Sequence, residues 1–365
     1  MDETSLARML EDSEAKRKMM EQLADENARK RVVVSKHRGL SSAPSQAAEV
    51  KTLVTRLQGQ ELRVYNITDG AYGELQPAAT SRVELQDEIL NHAITPDLDR
   101  AIYATRNSVV CFSRNGGVLW RYELQPHSTR RYGHYPGCVF SLDGSWAWVY
   151  RPDAMADRGP DMLVVLRADT GEEVARTELG TVGHAAHLAV HPDGQLLLEV
   201  GEGQDGVNIF RAALTRDANA IDLHSYGWID RCLIDMTPDG EWFMTVDHGR
   251  ADVAFHAFPS GRVVHRLPIA ALGYDDDDED EDEEDNEVFI DWCGGFLDAD
   301  TAIVTVVNDT GEQESRHYHR VNLRTGASLG RFEALPANDD AFELLGDGTW
   351  VIPNHDGDPV RRGHS

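Results

Sequence analysis

The stretch His187–Ala212, HLAVHPDGQLLLEVGEGQDGVNIFRA, sets the architecture of this chain. It holds three apolar runs separated by two turns. The first turn is His-Pro-Asp-Gly, 191–194, in which Pro192 presets φ near −65° and Gly194 accepts the positive φ of a tight turn. The runs are strand-length and rich in Val, Leu, Ile and Phe. Apolar runs joined by glycine turns make hairpins, so the stretch is an antiparallel meander.

The same unit returns along the chain. Turn signals stand at APSQ 43–46, TPDL 95–98, SLDG 141–144, HPDG 191–194, TPDG 237–240, LDAD 297–300 and LGDG 345–348. Asp97, Asp143, Asp193 and Asp239 are 46, 50 and 46 residues apart, and the 108 residues from Asp239 to Asp347 hold two units if one carries an insertion. Each turn is followed by an apolar run (RAIYAT, SWAWVY, QLLLEV, EWFMTV) and then by a second (SVVCFS, MLVVLR, GVNIF, DVAFHAF). Several copies add a glycine turn and a further run, as in ITDGAYGEL, RNGGVLWRYEL, PSGRVVHRL and RTGASLGRF. Four strands in each unit of about 40–50 residues predict an all-β fold, a β-propeller.

Seven turn signals predict seven four-stranded blades over residues 31–365, with six as the alternative if residues 39–45 are not a strand. The last unit, AFELLGDGTWVIPNHDGDPVRRGHS, stops before a fourth strand. The β-branched run Val32–Val34 is expected to supply it, which would join the chain ends and remove an exposed edge. Residues 1–30 are expected to form a charged N-terminal helix, with Thr4 or Ser5 as its cap and i,i+4 pairs Asp12/Lys16, Glu14/Lys18 and Glu26/Lys30.

Two copies carry a family resemblance. GHYPGCVFSLDG (133–144) and GHAAHLAVHPDG (183–194) resemble the Gly-His … Ser-Pro-Asp-Gly halves of WD40 repeats, and TPDG at 237–240 echoes them. The closing Trp-Asp dipeptide of that family is absent; VNIFR and VVLRAD stand in its place. The pattern spans roughly residues 40–355 and is also similar to YVTN-type repeats. The resemblance implies a ring of blades that holds protein partners on its loops.

Composition narrows the function. The net charge of −28 over 365 residues repels nucleic-acid phosphates and anionic lipid and favours basic partners. The four cysteines (Cys111, Cys138, Cys232, Cys293) are far apart in apolar runs, as reduced buried thiols are. No apolar stretch approaches the roughly 18 residues of a membrane span, and the N-terminus is charged where a signal peptide is apolar. A cytoplasmic protein is expected.

The acidic run 275–287 is the strongest local signal: Asp275, Asp276, Asp277, Asp278, Glu279, Asp280, Glu281, Asp282, Glu283, Glu284, Asp285 and Glu287. Such a block repels itself and is expected to be a disordered loop. It falls between the fourth run of one unit and the first of the next, and so explains the 108-residue spacing. One reading is a solubilising loop, the other a lure for a Lys/Arg-rich protein partner. The run lacks the D-x-D-x-D-G layout of a calcium loop.

No catalytic, cofactor-binding or metal-ligating residue is expected. His184, His187 and His191 run from a loop into a strand, where i and i+3 face opposite ways. His317 and His319 share a strand face but lack a third ligand at fixed spacing. There is no G-x-S-x-G elbow and no P-loop, and GEGQDG (201–206) joins strand to strand as a turn. Trp146, Trp148, Trp242 and Trp350 follow Asp turns and are expected to pack between blades. The expected function is a non-enzymatic interaction scaffold. The alternatives are a propeller hydrolase or lactonase with a metal or carboxylates at the central channel, or a sensor of a small ligand.

Overall fold

The Asp turns are built by their own side chains. The hydroxyls of Thr95, Ser141 and Thr237 donate to Asp97, Asp143 and Asp239 at 2.6, 2.6 and 2.7 Å. Each carboxylate also accepts the backbone N–H two residues on, from Asp99, Ser145 and Glu241. This Asx-type bonding reverses the chain between a first and a second strand.

The computed structural model describes residues 35–40, 50–67, 72–83, 87–130, 132–228, 230–274, 287–311, 313–335 and 342–363. The expected helix over 1–30, the Val32–Val34 run, the APSQ turn and residues 275–286 of the acidic run lie outside them.

Seven four-stranded antiparallel sheets form the fold. Blade 1 is Ser35–Leu40, Val50–Gln58, Glu61–Asn66 and Ala79–Arg82. Blade 2 is Asn91–Ile94, Arg100–Ala104, Ser108–Ser113 and Val118–Glu123. Blade 3 is Gly137–Phe140, Trp146–Arg151, Met162–Arg167 and Glu173–Glu178. Blade 4 is Ala185–Val190, Leu196–Gly201, Val207–Leu214 and Ile221–Ser225. Blade 5 is Arg231–Met236, Trp242–Asp247, Asp252–Ala257 and Arg262–Pro268. Blade 6 is Glu287–Phe296, Thr301–Asp309, Glu314–Asn322 and Ala327–Arg331.

Blade 7 takes three strands from the end of the chain, Glu343–Leu344, Thr349–Pro353 and Pro359–Gly363. Its fourth strand corrects an expectation. It is Gly73–Glu74, paired with Arg361 and Val360, and not the Val32–Val34 run. The ITDGAYGEL stretch therefore leaves blade 1 between its third and fourth strands, and Ala79–Arg82 completes that blade.

First strands of neighbouring blades lie against one another around the axis, and fourth strands are the exposed rim. Antiparallel alternation then puts the Asp turns on one face. The other face carries the second-to-third loops and the connections between blades; it is called the loop face below.

Each sheet is apolar on both faces, so it must be covered twice, and the ring does this. Seven buried apolar clusters occupy the seven junctions between blades. Trp148 is buried between blades 3 and 4, and Trp350 between blades 6 and 7. Trp146 and Trp242 pack partly buried against the clusters of their own junctions. Burying one such large side chain contributes about 1.5–3 kcal/mol.

The closing junction adds polar ties. Val54, Tyr65, Ile67 and Leu75 pack on Leu345 and Val351. Arg361 donates to Thr349 Oγ1 (3.0 Å), Ile67 O (2.6 Å) and Asp347 (2.5 Å). Asp358 accepts from Tyr65 (2.7 Å) and Arg63 (2.9 Å).

Candidate interaction face

The described residues that flank the acidic run are Tyr274 and Glu287. After the last strand of blade 5 the chain makes a short 3-10 turn, Ile269–Leu272, whose Ile269 and Leu272 are buried in the cluster between blades 5 and 6. Tyr274, the last described residue before the run, places its hydroxyl 2.9 Å from His319 Nε2. Its ring is edge-on to His319 at 5.4 Å and stacked over His317 at 6.5 Å. Burial, with Arg331 and His317 adding to it, pushes His319 down to about 4, so the ring is neutral near pH 7. The chain returns at Glu287, an exposed residue that opens the innermost strand of blade 6. The remaining acidic residues of the expected binding set, Asp275–Asp285, lie outside the described residues.

The return point adjoins a cation stacked on aromatic rings. The Arg250 guanidinium lies 4.3 Å from the Phe289 ring centroid and 4.2 Å from that of Trp292. His248 stacks on Trp292 at 5.5 Å, and Trp292 Nε1 donates to Asp247 O at 3.3 Å. The sheet makes room for this by a bulge. Register with the second strand breaks between Ile290 and Gly294, so Asp291, Trp292 and Cys293 leave the ladder. A smaller break follows Leu233 on the innermost strand of blade 5.

The carboxylates near the axis are engaged. Asp291 lies 3.6 Å from Arg316, which also pairs with Glu314 at 2.6 Å. Asp235 accepts the Phe296 N–H at 3.0 Å, tying blade 5 to blade 6, and Glu199 accepts the Leu233 N–H, tying blade 4 to blade 5. Sequence reading missed one polar centre altogether. Buried Asp161 accepts from Tyr150 (3.1 Å), Thr181 (2.9 Å), Gly183 N (2.6 Å) and Ala154 N (3.0 Å). With three donors on Oδ2 and one on Oδ1, it braces the loop face. No motif marks it, because its partners come from three separate stretches.

The histidines flagged by spacing do not converge. His184 lies on the loop face beside Gly133 and Gly203, and His187 sits mid-strand with Nδ1 3.3 Å from Leu233 O. His191 is buried on the opposite face, stacked on Phe258 at 3.7 Å. His134, from the other Gly-His copy, turns Nδ1 to Tyr132 O at 3.3 Å, not to a Ser or Thr on a strand. His317 and His319 meet at Tyr274 as described above. Among the described residues no group of three or more His, Cys, Asp or Glu is arranged to hold a metal ion. Residues 203–205 form a 3-10 turn joining two strands of blade 4, as the GEGQDG reading expected. All four cysteines are free thiols, Cys111, Cys138 and Cys232 buried and Cys293 partly so. Among the described residues no helix is long and apolar enough to cross a membrane.

No family model matches the chain, and no curated protein matches it. Solved structures do. Kluyveromyces marxianus Hsv2 superposes with a TM-score of 0.50 at 9% identity, over 82% of this chain and 84% of that one. Chaetomium thermophilum Sqt1, solved bound to the N-terminus of ribosomal protein L10, gives 0.49 at 14% identity, over 90% and 91% of the two chains. The periplasmic gluconolactonase PpgL of Pseudomonas aeruginosa gives 0.47 at 14% identity, over 90% and 94%. At these identities the likeness is one of fold alone, and the fold is a seven-bladed β-propeller.

Proposed function

We propose that the chain is a protein-interaction platform whose loop face docks a Lys/Arg-rich partner, with the acidic run as the electrostatic lure. One observation carries this reading. The residues that flank the run are Tyr274, bonded to His319, and Glu287, at the head of an innermost strand, and this placement of the two flanks supports the reading. Twelve carboxylates in thirteen residues give a strong local field, screened beyond about 8 Å at physiological salt. Such a field raises association rate and selects the sign of the partner more than it adds affinity. The free thiols fit a reducing, cytoplasmic setting.

The test is affinity capture with the full chain and with a variant lacking residues 275–286, at graded salt. The expected outcome is a basic partner retained at low salt, released as salt rises, and absent from the deletion variant. An identical bound set for both chains at every salt concentration overturns the reading.

A further inference from the structure

The loop face between blades 2 and 3 holds buried polar atoms that the chain itself does not satisfy. His134 is 0% exposed, Tyr135 8%, and the Arg158 side chain 0%. Among the described residues, His134 Nε2, the Tyr135 hydroxyl, Arg106 Nη1 and Arg158 Nη1 have no hydrogen-bond partner. Burying so many unmatched polar atoms in one place is costly and calls for an explanation.

Their surroundings overlap. The Arg106 guanidinium lies over the rings of Tyr135 (5.4 Å) and Tyr132 (6.0 Å). Arg158 donates to Arg106 O at 2.9 Å, to Asn107 Oδ1 at 2.5 Å and to Pro126 O at 2.8 Å, which fixes it beneath both loops. Glu88 holds Arg106 at 2.9 Å, Asp157 holds Arg130 at 2.7 Å, and Asp153 holds Arg151 at 2.9 Å. Arg158 is left to share Asp153 at 3.6 Å. Arg158 thus has only a distant share of a carboxylate already paired with Arg151.

We propose that this is a binding site for a compact oxyanion, a carboxylate or a phosphate, which accepts hydrogen bonds from Arg106, Arg158 and Tyr135 and draws a proton from water onto His134. The proton follows from the tautomer. His134 Nδ1 faces the Tyr132 carbonyl, which only accepts, so Nδ1 carries the hydrogen and a neutral ring turns a bare lone pair at Nε2. The groups facing that ring are Arg106 from the blade 2 loop, Arg130 from its own loop, Arg158 and Asp153 from the blade 3 loop, and His184 beside Gly133. Burial and the arginines keep the ring neutral, and an added anion reverses that balance and makes Nε2 a donor. At the rim Tyr132 is 53% exposed and the Arg130 side chain 48%. The site lies three blades from Tyr274 and Glu287, which flank the acidic run, and does not depend on the role given to that run.

The test titrates the full chain with inorganic phosphate and, separately, with acetate, against chloride at equal ionic strength. Unfolding midpoint and binding heat are read in two buffers of different ionisation enthalpy. The expected result is a saturable rise in midpoint with at least one anion, with heats that report proton uptake. Tyr135→Phe and Arg106→Lys should fold with near-normal midpoints in chloride and bind about tenfold more weakly, the loss of one charge-assisted hydrogen bond. A response to phosphate alone or to acetate alone supports the site and names its ligand class. The absence of a saturable response to either, or an undiminished response in both variants, overturns it.

Discussion

His191 Nε2 donates to the carbonyl oxygen of Gly240 across 2.8 Å, so the Asp turn of blade 4 is bonded directly to the Asp turn of blade 5. In His191 the chain has put an imidazole where the neighbouring blades have Thr95, Ser141 and Thr237. The ring serves two turns at once: its Nδ1 accepts the Asp193 N–H at 3.1 Å, and its face stacks on Phe258.

Gly240→Ala should therefore be severe. Gly240 has φ of +76°, and an added Cβ would come within 2.3 Å of His191 Nε2. Backbone strain and the clash add, and a loss of about 2–4 kcal/mol is expected in urea unfolding. Gly348→Ala tests the backbone part alone, because φ there is +85° with open space around the Cβ, and it should cost less.

Arg361→Ala should open the ring at its closing junction. The buried guanidinium bonds Thr349, Ile67 and Asp347, and its removal leaves the Ile67 carbonyl without this donor, while half-exposed Asp347 keeps its bonds from Thr349. A cost of about 1–3 kcal/mol is expected, chiefly from the unsatisfied carbonyl. Arg361→Lys should recover only part of it, because a single ammonium does not span three acceptors. The midpoint of unfolding measures both.

Acid should destabilise the fold in two stages. Burial pushes His92, His134, His256 and His319 down to about 4. A histidine lowered in the folded state binds fewer protons there than in the unfolded chain. Its stabilising contribution is present above about 6.5 and is lost as pH falls toward 4. Asp358 acts in a lower window. The Tyr65 hydroxyl and the Arg63 guanidinium hold its carboxyl below the usual range, so its contribution is present above about 3.9 and is lost below that. Unfolding midpoints should fall from pH 6.5 downward, and Asp358→Asn should flatten only the lowest part of the curve.

Thiol reactivity should divide the cysteines. Burial pushes Cys111 up to about 12 and raises Cys138 as well. Cys232 is buried, whereas Cys293 sits partly exposed in the bulge of blade 6. An aromatic disulfide reagent applied to the native chain should label Cys293 first and reach the other three only on unfolding.

Much of this ring was legible in the chain because its turns are local. A hydroxyl, an Asp two residues on and the next backbone N–H are all close in sequence, so TPDL was found even though Leu98 takes the positive φ (64°) that Gly holds elsewhere. Tryptophans after the turns marked the junctions for the same reason. The closing strand was not legible, because Gly73–Glu74 is two residues long and carries no apolar run. Nor were the Asp161 brace, whose partners are spread from Tyr150 to Gly183, and the donors around His134, which come from loops of blades 2 and 3. The acidic run announced itself by composition, but the bond of its flank to His319 needed the three-dimensional placement of Tyr274.

The clasp of the propeller is woven from inside the chain, and this gives its two halves unequal worth to a protease. Cleavage ahead of Ser35 leaves every described hydrogen bond of blade 7 intact. A nick between Ile67 and Gly73 keeps Gly73–Glu74 on the same fragment as Pro359–Gly363 but parts the first three strands of blade 1 from Ala79–Arg82 and Ile67 from Arg361, so it should loosen the ring at its closing junction.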